Sequence, residues 1–295
     1  MKAMLAGISR KASFVLLALA MTGCSAQSAP LQAIPAGKSQ LAVELNGLPF
    51  QVFTFRPEGC AVTKILIVFH GLGRNAAGYR DAAIPLGQTL CMVVVAPLFD
   101  AERFPSWRYQ RGGVVHDGTV QPAESWTVNL VPRLIAWVRA GDGRPNLPYA
   151  FIGHSAGAQF LSRVAAFLPN EATQIVIANP STWVRPTLTI DAPYGFGGAF
   201  RGAAGEEALR RYLAAPVTVL LGQEDVGSQN LATGDEAEAQ GGTRLERGTN
   251  VFQEAEREAG RRKWAFNWRL AFVPGVGHSA GSMFASDQAL SALRP

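Results

Sequence analysis

The residues best suited to chemistry lie in one short segment, Gly153-His-Ser-Ala-Gly157, which reads G-x-S-x-G. The apolar run 149–152 precedes it, and a helix-like segment, 158–168, follows it. A serine in a tight turn from a strand to a helix has its hydroxyl exposed at the edge of a sheet. Glycines flank such a serine because the turn is too crowded for larger side chains. The pattern predicts that Ser155 is a nucleophile.

A serine hydroxyl becomes a good nucleophile only when a base takes its proton, and a third group must orient that base. The chain has four histidines. His278 follows the apolar segment 270–273 within a glycine-rich stretch, and we predict that it is the base. The other three are expected to be structural or solvated: His70, His116 and His154.

The acid of such an arrangement should lie between the serine and the histidine in chain order. The strand-like segment 216–221 is followed by Gly222 and, three residues later, by Asp225. This G-x-x-D spacing favours Asp225 as the acid. Glu224, which follows the same strand, and Asp235 remain alternatives.

The reaction also requires backbone donors for the negative charge that develops on the carbonyl oxygen. One candidate is the N–H of Ala156, directly after the nucleophile. The second should come from the loop after an earlier strand, and the apolar segment 64–70 ends in His70-Gly-Leu-Gly73. We predict the Leu72 N–H as this donor, with Gly73 as the alternative. Alternatively, residues 70–73 only form a simple turn between a strand and a helix.

With these motifs the chain resembles an α/β-hydrolase of the serine esterase type, and it is similar to exported poly(3-hydroxybutyrate) depolymerase-like enzymes. The motifs run in the family's order across residues 41–295: H-G-x-G at 70–73, G-x-S-x-G at 153–157, G-x-x-D at 222–225 and Gly-His at 277–278. The resemblance implies a catalytic triad of Ser155, Asp225 and His278. It also implies an oxyanion hole at Leu72 and Ala156.

The elements that must position these residues alternate between apolar strands and amphipathic helices, which is typical of a sheet covered on both faces. We predict one α/β-hydrolase domain over residues 39–295, with a mostly parallel central sheet of about eight strands. The predicted strands are 41–45, 50–55, 64–70, 92–98, 147–152, 173–178, 216–221 and 265–273. The predicted helices are 75–90, 125–140, 155–168, 205–214, 250–262 and 280–293.

Three long stretches fall outside this scaffold, at 99–124, 179–204 and 226–249. Ligands of open α/β sheets bind at the carboxyl ends of the strands, where such loops emerge. Aromatic residues in these loops are therefore candidate substrate contacts: Trp107, Tyr109 and Trp183. The alternative is that they fix the loops to the body of the protein.

The N-terminus is typical of an exported protein. Residues 1–23 have a positive start and an apolar run, 14–21, too short to cross a bilayer core of about 30 Å as a helix. Met21-Thr-Gly-Cys24 resembles a bacterial lipobox, although leucine is usual where Met21 stands. The resemblance implies lipidation of Cys24 and an outer-membrane lipoprotein facing the periplasm. Ordinary secretion is the alternative, and residues 24–38 are predicted to be a flexible tether.

Lipidation of Cys24 would leave Cys60 and Cys91 as a pair. In the α/β-hydrolase topology the strands at 64–70 and 92–98 are parallel neighbours, which would place both cysteines at the same edge of the sheet. We expect a disulfide between them in an oxidising compartment, with free buried thiols as the alternative.

Composition excludes several other function classes. The formal net charge is +5, but three of the positive charges lie in residues 1–23, which carry no acid, so the rest of the chain is near +2. We therefore expect no nucleic-acid partner. The chain has no Walker A loop, no dinucleotide fingerprint in the right context and no H-E-x-x-H, so no cofactor or metal is expected.

The predicted activity is hydrolysis of a carboxylic ester through an acyl-enzyme intermediate. A serine peptidase or amidase could use the same three residues, and a non-catalytic, lipid-anchored binding protein could share the fold. The 295 residues leave no room for a separate polymer-binding domain beside the predicted one. A small or oligomeric ester is therefore the expected substrate.

Overall fold

The computed structural model describes residues 33–294 of the chain. The predicted signal peptide, Cys24 and most of the predicted tether lie outside these residues. Ile34 is buried, and the first strand begins at Gly37, so the last residues of the segment predicted as a tether belong to the folded domain. No helix within 33–294 is long and apolar enough to cross a membrane.

The domain is built on a mostly parallel sheet of eight strands in the order β1-β2-β4-β3-β7-β8-β9-β10. Its strands are β1 (Gly37–Leu45), β2 (Leu48–Arg56), β3 (Lys64–Phe69), β4 (Met92–Pro97), β7 (Tyr149–His154), β8 (Ile175–Ala178), β9 (Val217–Gly222) and β10 (Arg269–Val273). A separate short hairpin consists of β5 (Val115–His116) and β6 (Thr119–Val120). Strands β1, β2 and β4 pair antiparallel, and all later neighbours in the sheet are parallel.

Helices cover both faces of the sheet, which confirms the predicted α/β-hydrolase architecture. They are α1 (Ala76–Leu90), α2 (Leu130–Asp142), α3 (Ala156–Phe167), α4 (Ala203–Ala214), α5 (Asp235–Glu238), α6 (Arg244–Arg262), α7 (Ala280–Phe284) and α8 (Asp287–Leu293). Successive side chains of a strand point to opposite faces. In β3, Ile65 and Ile67 therefore belong to the apolar cluster that also contains residues of α2, α3, α4 and α6, whereas Leu66 and Val68 belong to the cluster that contains residues of α1, α7 and α8.

Three helix boundaries differ from the sequence prediction. Helix α2 begins at Leu130 rather than 125, and Pro132 lies in its first turn, where a missing N–H costs nothing. Helix α6 begins at Arg244 rather than 250, because the Thr243 hydroxyl accepts a hydrogen bond from the Glu246 N–H and caps the helix. The predicted last helix is two helices, and Ser286 caps the second.

A disulfide joins Cys60 to Cys91, whose Cα atoms are 6.0 Å apart. Cys91 ends α1 in a left-handed conformation directly before β4, and Cys60 lies four residues before β3. Both cysteines are therefore at the amino ends of the parallel strands, at the edge of the sheet opposite Ser155.

Replacing both cysteines by serine is expected to lower the free energy of unfolding by about 3–4 kcal/mol. The bond closes a loop with a sequence separation of 31 residues, which restricts the unfolded chain. Urea denaturation of the variant beside the wild type, each with and without reductant, measures the effect. Two alkylatable thiols in the unreduced protein would show that the bond does not form.

Candidate active site

Ser155 lies at the turn between β7 and α3, at the carboxyl end of the sheet. Its backbone has φ 57° and ψ −118°, a strained conformation for a residue other than glycine. Such a turn carries the serine hydroxyl away from the backbone of both elements, as the G-x-S-x-G pattern predicts. The strain is therefore located at the residue whose side chain is the predicted nucleophile.

Close packing holds this turn against the centre of the sheet. A Cβ atom on Gly153 would lie 2.7 Å from the carbonyl oxygen of Gly157. A Cβ atom on Gly157 would lie 2.7 Å from the carbonyl oxygen of His70, and closer still to that of Phe69. Both glycines are required because backbone, not a movable side chain, occupies the space.

The structure brings Ser155, His278 and Asp225 into one hydrogen-bonded chain. His278 lies in the loop between β10 and α7, and its Nε2 is 3.0 Å from the Ser155 Oγ. Its Nδ1 is 2.6 Å from Oδ2 of Asp225, three residues after the end of β9. Asp225 is only 2% exposed, whereas the alternative acids Glu224 and Asp235 are both exposed. A base oriented by a buried carboxylate can take the serine proton.

The two predicted oxyanion donors lie at neighbouring strand ends. Ala156 is the first residue of α3, where an N–H has no acceptor within its own helix. Leu72 lies in the turn that the Arg74 N–H closes onto the Gly71 carbonyl, and no acceptor within residues 33–294 takes the Leu72 N–H. The approach of Gly157 to the carbonyls of Phe69 and His70 brings the end of β3 against the turn between β7 and α3. Within the part of the chain that the structure describes, neither N–H donates to a protein acceptor, which fits the predicted oxyanion role.

Comparisons with known proteins place this geometry in a family. A poly(3-hydroxybutyrate) depolymerase from Bordetella parapertussis is 30% identical, over 88% of this chain and 94% of its own, with a TM-score of 0.79. Poly(aspartic acid) hydrolase-1 from Sphingomonas sp. KT-1 is 33% identical, over 88% and 98%, with a TM-score of 0.80. The chain belongs to the α/β serine hydrolases.

More distant structures share only the fold with this hydrolase. An S-formylglutathione hydrolase from Agrobacterium tumefaciens is 14% identical, over 89% of this chain and 98% of its own, with a TM-score of 0.53. No protein-family model matches the chain, and no curated protein matches it either. Relatives such as the two enzymes with at least 30% identity show the family of the chain.

The other histidines of the hydrolase have structural surroundings. His70 is buried, its Nε2 accepts a hydrogen bond from the Phe99 N–H, and burial lowers its pKa to about 4. His154 is buried beside Tyr79, whose hydroxyl lies 3.1 Å from the His154 Nδ1. His116 stacks on Trp107 with ring centroids 4.1 Å apart. None of the three contacts the Ser155 hydroxyl.

The prediction that Tyr109 and Trp183 contact substrate is wrong for this structure, because both side chains are fully buried. Tyr109 stacks between Phe99 and Phe160, and its hydroxyl donates a hydrogen bond to the His70 carbonyl. The backbone N–H of Trp183 donates a hydrogen bond to the side-chain oxygen of Gln240. These two aromatic residues fix long loops to the body, whereas Trp107 is half-buried and remains a candidate contact.

Sequence reasoning missed two buried arginines near the acid, Arg244 and Arg247, in the first turn of α6. Their guanidinium groups donate hydrogen bonds to backbone carbonyls of the segment after Asp225. The capping sequence Thr243-Arg-Leu-Glu246 could have located the start of this helix. Among residues 33–294, no group of three His, Cys, Asp or Glu side chains is arranged to hold a metal ion.

Proposed function

We propose that this serine hydrolase cleaves carboxylic esters through an acyl-enzyme intermediate, with Ser155, His278 and Asp225 as its catalytic triad. The observation that supports the proposal is the continuous chain of hydrogen bonds, 3.0 Å from Ser155 to His278 and 2.6 Å from His278 to Asp225. A weak nucleophile, a base within reach of its proton and a buried acid behind the base are the three parts that acyl transfer needs.

In the proposed reaction His278 Nε2 takes the Ser155 proton as Oγ attacks the ester carbonyl. Asp225 accepts a hydrogen bond from Nδ1, which fixes the imidazole and stabilises its protonated form. The N–H groups of Leu72 and Ala156 stabilise the oxyanion of the tetrahedral intermediate. His278 then protonates the leaving alcohol, and water attacks the acyl-enzyme by the reverse sequence of proton transfers.

Amide hydrolysis is the second candidate, since one relative at 33% identity is a poly(aspartic acid) hydrolase. The polymer in that name is joined by amide bonds, and the same triad chemistry cleaves esters and amides. The relative turnover of esters and amides distinguishes the two candidates.

The first experiment compares p-nitrophenyl esters of two to twelve carbons with aminoacyl p-nitroanilides and poly(aspartic acid), using protein that lacks residues 1–24. We expect ester turnover to exceed anilide turnover, because p-nitrophenolate is a much better leaving group than p-nitroaniline. Faster cleavage of poly(aspartic acid) than of every ester would instead favour the amidase. A folded wild type that cleaves none of them and does not react with a fluorophosphonate would indicate a binding protein.

We also propose export and attachment to the outer membrane through lipidated Cys24, as the N-terminal motif indicates. Mass spectrometry of the full chain purified from membranes, beside Cys24→Ser, would show whether a diacylglycerol modification is present.

A further inference from the structure

Asp225 has a second charged partner besides His278. Its Oδ2 faces the imidazole, and its Oδ1 lies 3.4 Å from Nη1 of Arg244, in the first turn of α6. The side chains of this ion pair are only 1% and 2% exposed. The acid of the triad is therefore held between the imidazole and a buried guanidinium.

Arg244 also fixes the chain that follows Asp225. Its Nη2 donates a hydrogen bond of 2.7 Å to the Gln229 carbonyl, and its Nη1 lies 3.4 Å from the Gly227 carbonyl. Residues 226–230 are otherwise exposed, so these bonds connect the loop to the domain. Burial lowers the pKa of the Arg244 guanidinium and Asp225 raises it, but an arginine stays protonated at neutral pH.

Two further titratable groups face this part of the site. The ring of His154, at the end of β7, is 4.6 Å from the ring of His278, and burial lowers its pKa well below 6.5. Arg247 lies three residues after Arg244 in α6, and burial lowers its pKa with a smaller contribution from the Arg244 charge. Arg247 donates to the carbonyls of Ser181, Ala232 and Gly241 rather than to a carboxylate.

We propose that Arg244 is a positioning residue for the triad. Its guanidinium fixes Oδ1 of Asp225 and balances part of the charge of that carboxylate. This inference depends on the proposed function, because it assigns a role within that triad. A carboxylate hydrogen-bonded to an imidazole favours the protonated ring, and a guanidinium paired with the same carboxylate opposes that effect.

The main test is Arg244→Gln, followed by pH profiles of ester hydrolysis. The Arg244 guanidinium offsets part of the Asp225 charge, and that charge favours the protonated imidazole, so removing the guanidinium should let protonated His278 persist to higher pH. The acidic limb of kcat/KM should therefore move upward by about one pH unit. We also expect kcat to fall about tenfold with KM nearly unchanged, because the orientation of Asp225 matters for the reaction rather than for substrate binding.

Arg244→Lys and Arg247→Gln separate this role from a structural one. Lysine keeps the charge but loses the forked geometry, so kcat should fall while the acidic limb stays in place. Arg247→Gln removes an equally buried arginine of the same helix and should lower stability without moving the limb. The proposal would be overturned if the acidic limb of kcat/KM shifted equally in Arg247→Gln. It would also be overturned if Arg244→Gln changed neither that limb nor kcat.

A double-mutant cycle with Asp225→Asn tests the coupling directly. If Arg244 acts through the carboxylate, Arg244→Gln should cause little further loss once Asp225 is neutral. If the losses of activity in the two single variants were fully additive in the double variant, Arg244 would not act through the Asp225 carboxylate. If Arg244→Gln does not fold, Arg244→Lys decides, since a wild-type kcat in that variant would contradict the positioning role.

An NMR titration of the His278 ring in Ser155→Ala protein measures the same effect without turnover. We expect the midpoint to be about one pH unit higher when Arg244→Gln is added. Should the wild type neither cleave esters nor react with a fluorophosphonate, the proposed function fails while this titration still decides on Arg244. An unchanged midpoint would rule out the electrostatic part of the proposal.

Discussion

Ser155→Ala is expected to reduce ester hydrolysis by about 10⁴-fold or more while leaving the fold intact. The substitution removes the Oγ atom that lies 3.0 Å from the His278 Nε2, and with it the acyl-enzyme route. Alanine adopts the backbone conformation of Ser155 at the same cost as serine, so stability should not fall. Residual turnover would come from the oxyanion donors and from substrate binding alone.

Steady-state kinetics with the best nitrophenyl ester, beside thermal melts, measures this prediction. Ser291→Ala is the matched control, because Ser291 is an exposed residue of α8 that contacts no member of the triad. Fluorophosphonate should label the wild type and the control but not Ser155→Ala. Turnover within tenfold of the wild type in Ser155→Ala would assign the activity to another group or a contaminating enzyme.

The sequence was sufficient to predict the sheet and the residues that meet at its carboxyl edge. Strands such as β3 and β4 are buried along their whole length and appear in the sequence as continuous apolar runs. Ser155 and Asp225 follow the equally buried strands β7 and β9 within a few residues, and His278 follows the edge strand β10. Since parallel strands end at one edge of a sheet, strand order alone brings Ser155, Asp225 and His278 near one another.

The contacts of long side chains in the loops could not be predicted in this way. Tyr109 and Trp183 have large apolar surfaces, and burying those surfaces against the body stabilises the loops more than exposure at a site would. The burial of Arg244 could not be predicted from the sequence either, because an arginine in a polar segment is normally solvated. Its carboxylate and carbonyl partners come from residues 225–229, which only the folded chain brings around it.

Gly157→Ala is expected to lower the free energy of unfolding by about 3 kcal/mol or more and to abolish activity. The added Cβ would lie 2.7 Å from the His70 carbonyl oxygen and closer to that of Phe69. These are backbone atoms at the end of β3, which pairs with β4 on one side and β7 on the other, so they cannot move aside. Helix α3 would have to shift instead, and Ser155 would move with it.

Gly260→Ala is the matched control, since Gly260 also lies in a helix but has open space around the position of a Cβ. Alanine favours the helical backbone over glycine, so this variant should be more stable by about 0.5–1 kcal/mol and fully active. Urea denaturation and fluorophosphonate labelling of both variants give stability and the position of Ser155 separately. A Gly157→Ala protein as stable and reactive as Gly260→Ala would contradict the close packing of the turn between β7 and α3, and with it the reason that this turn requires glycine.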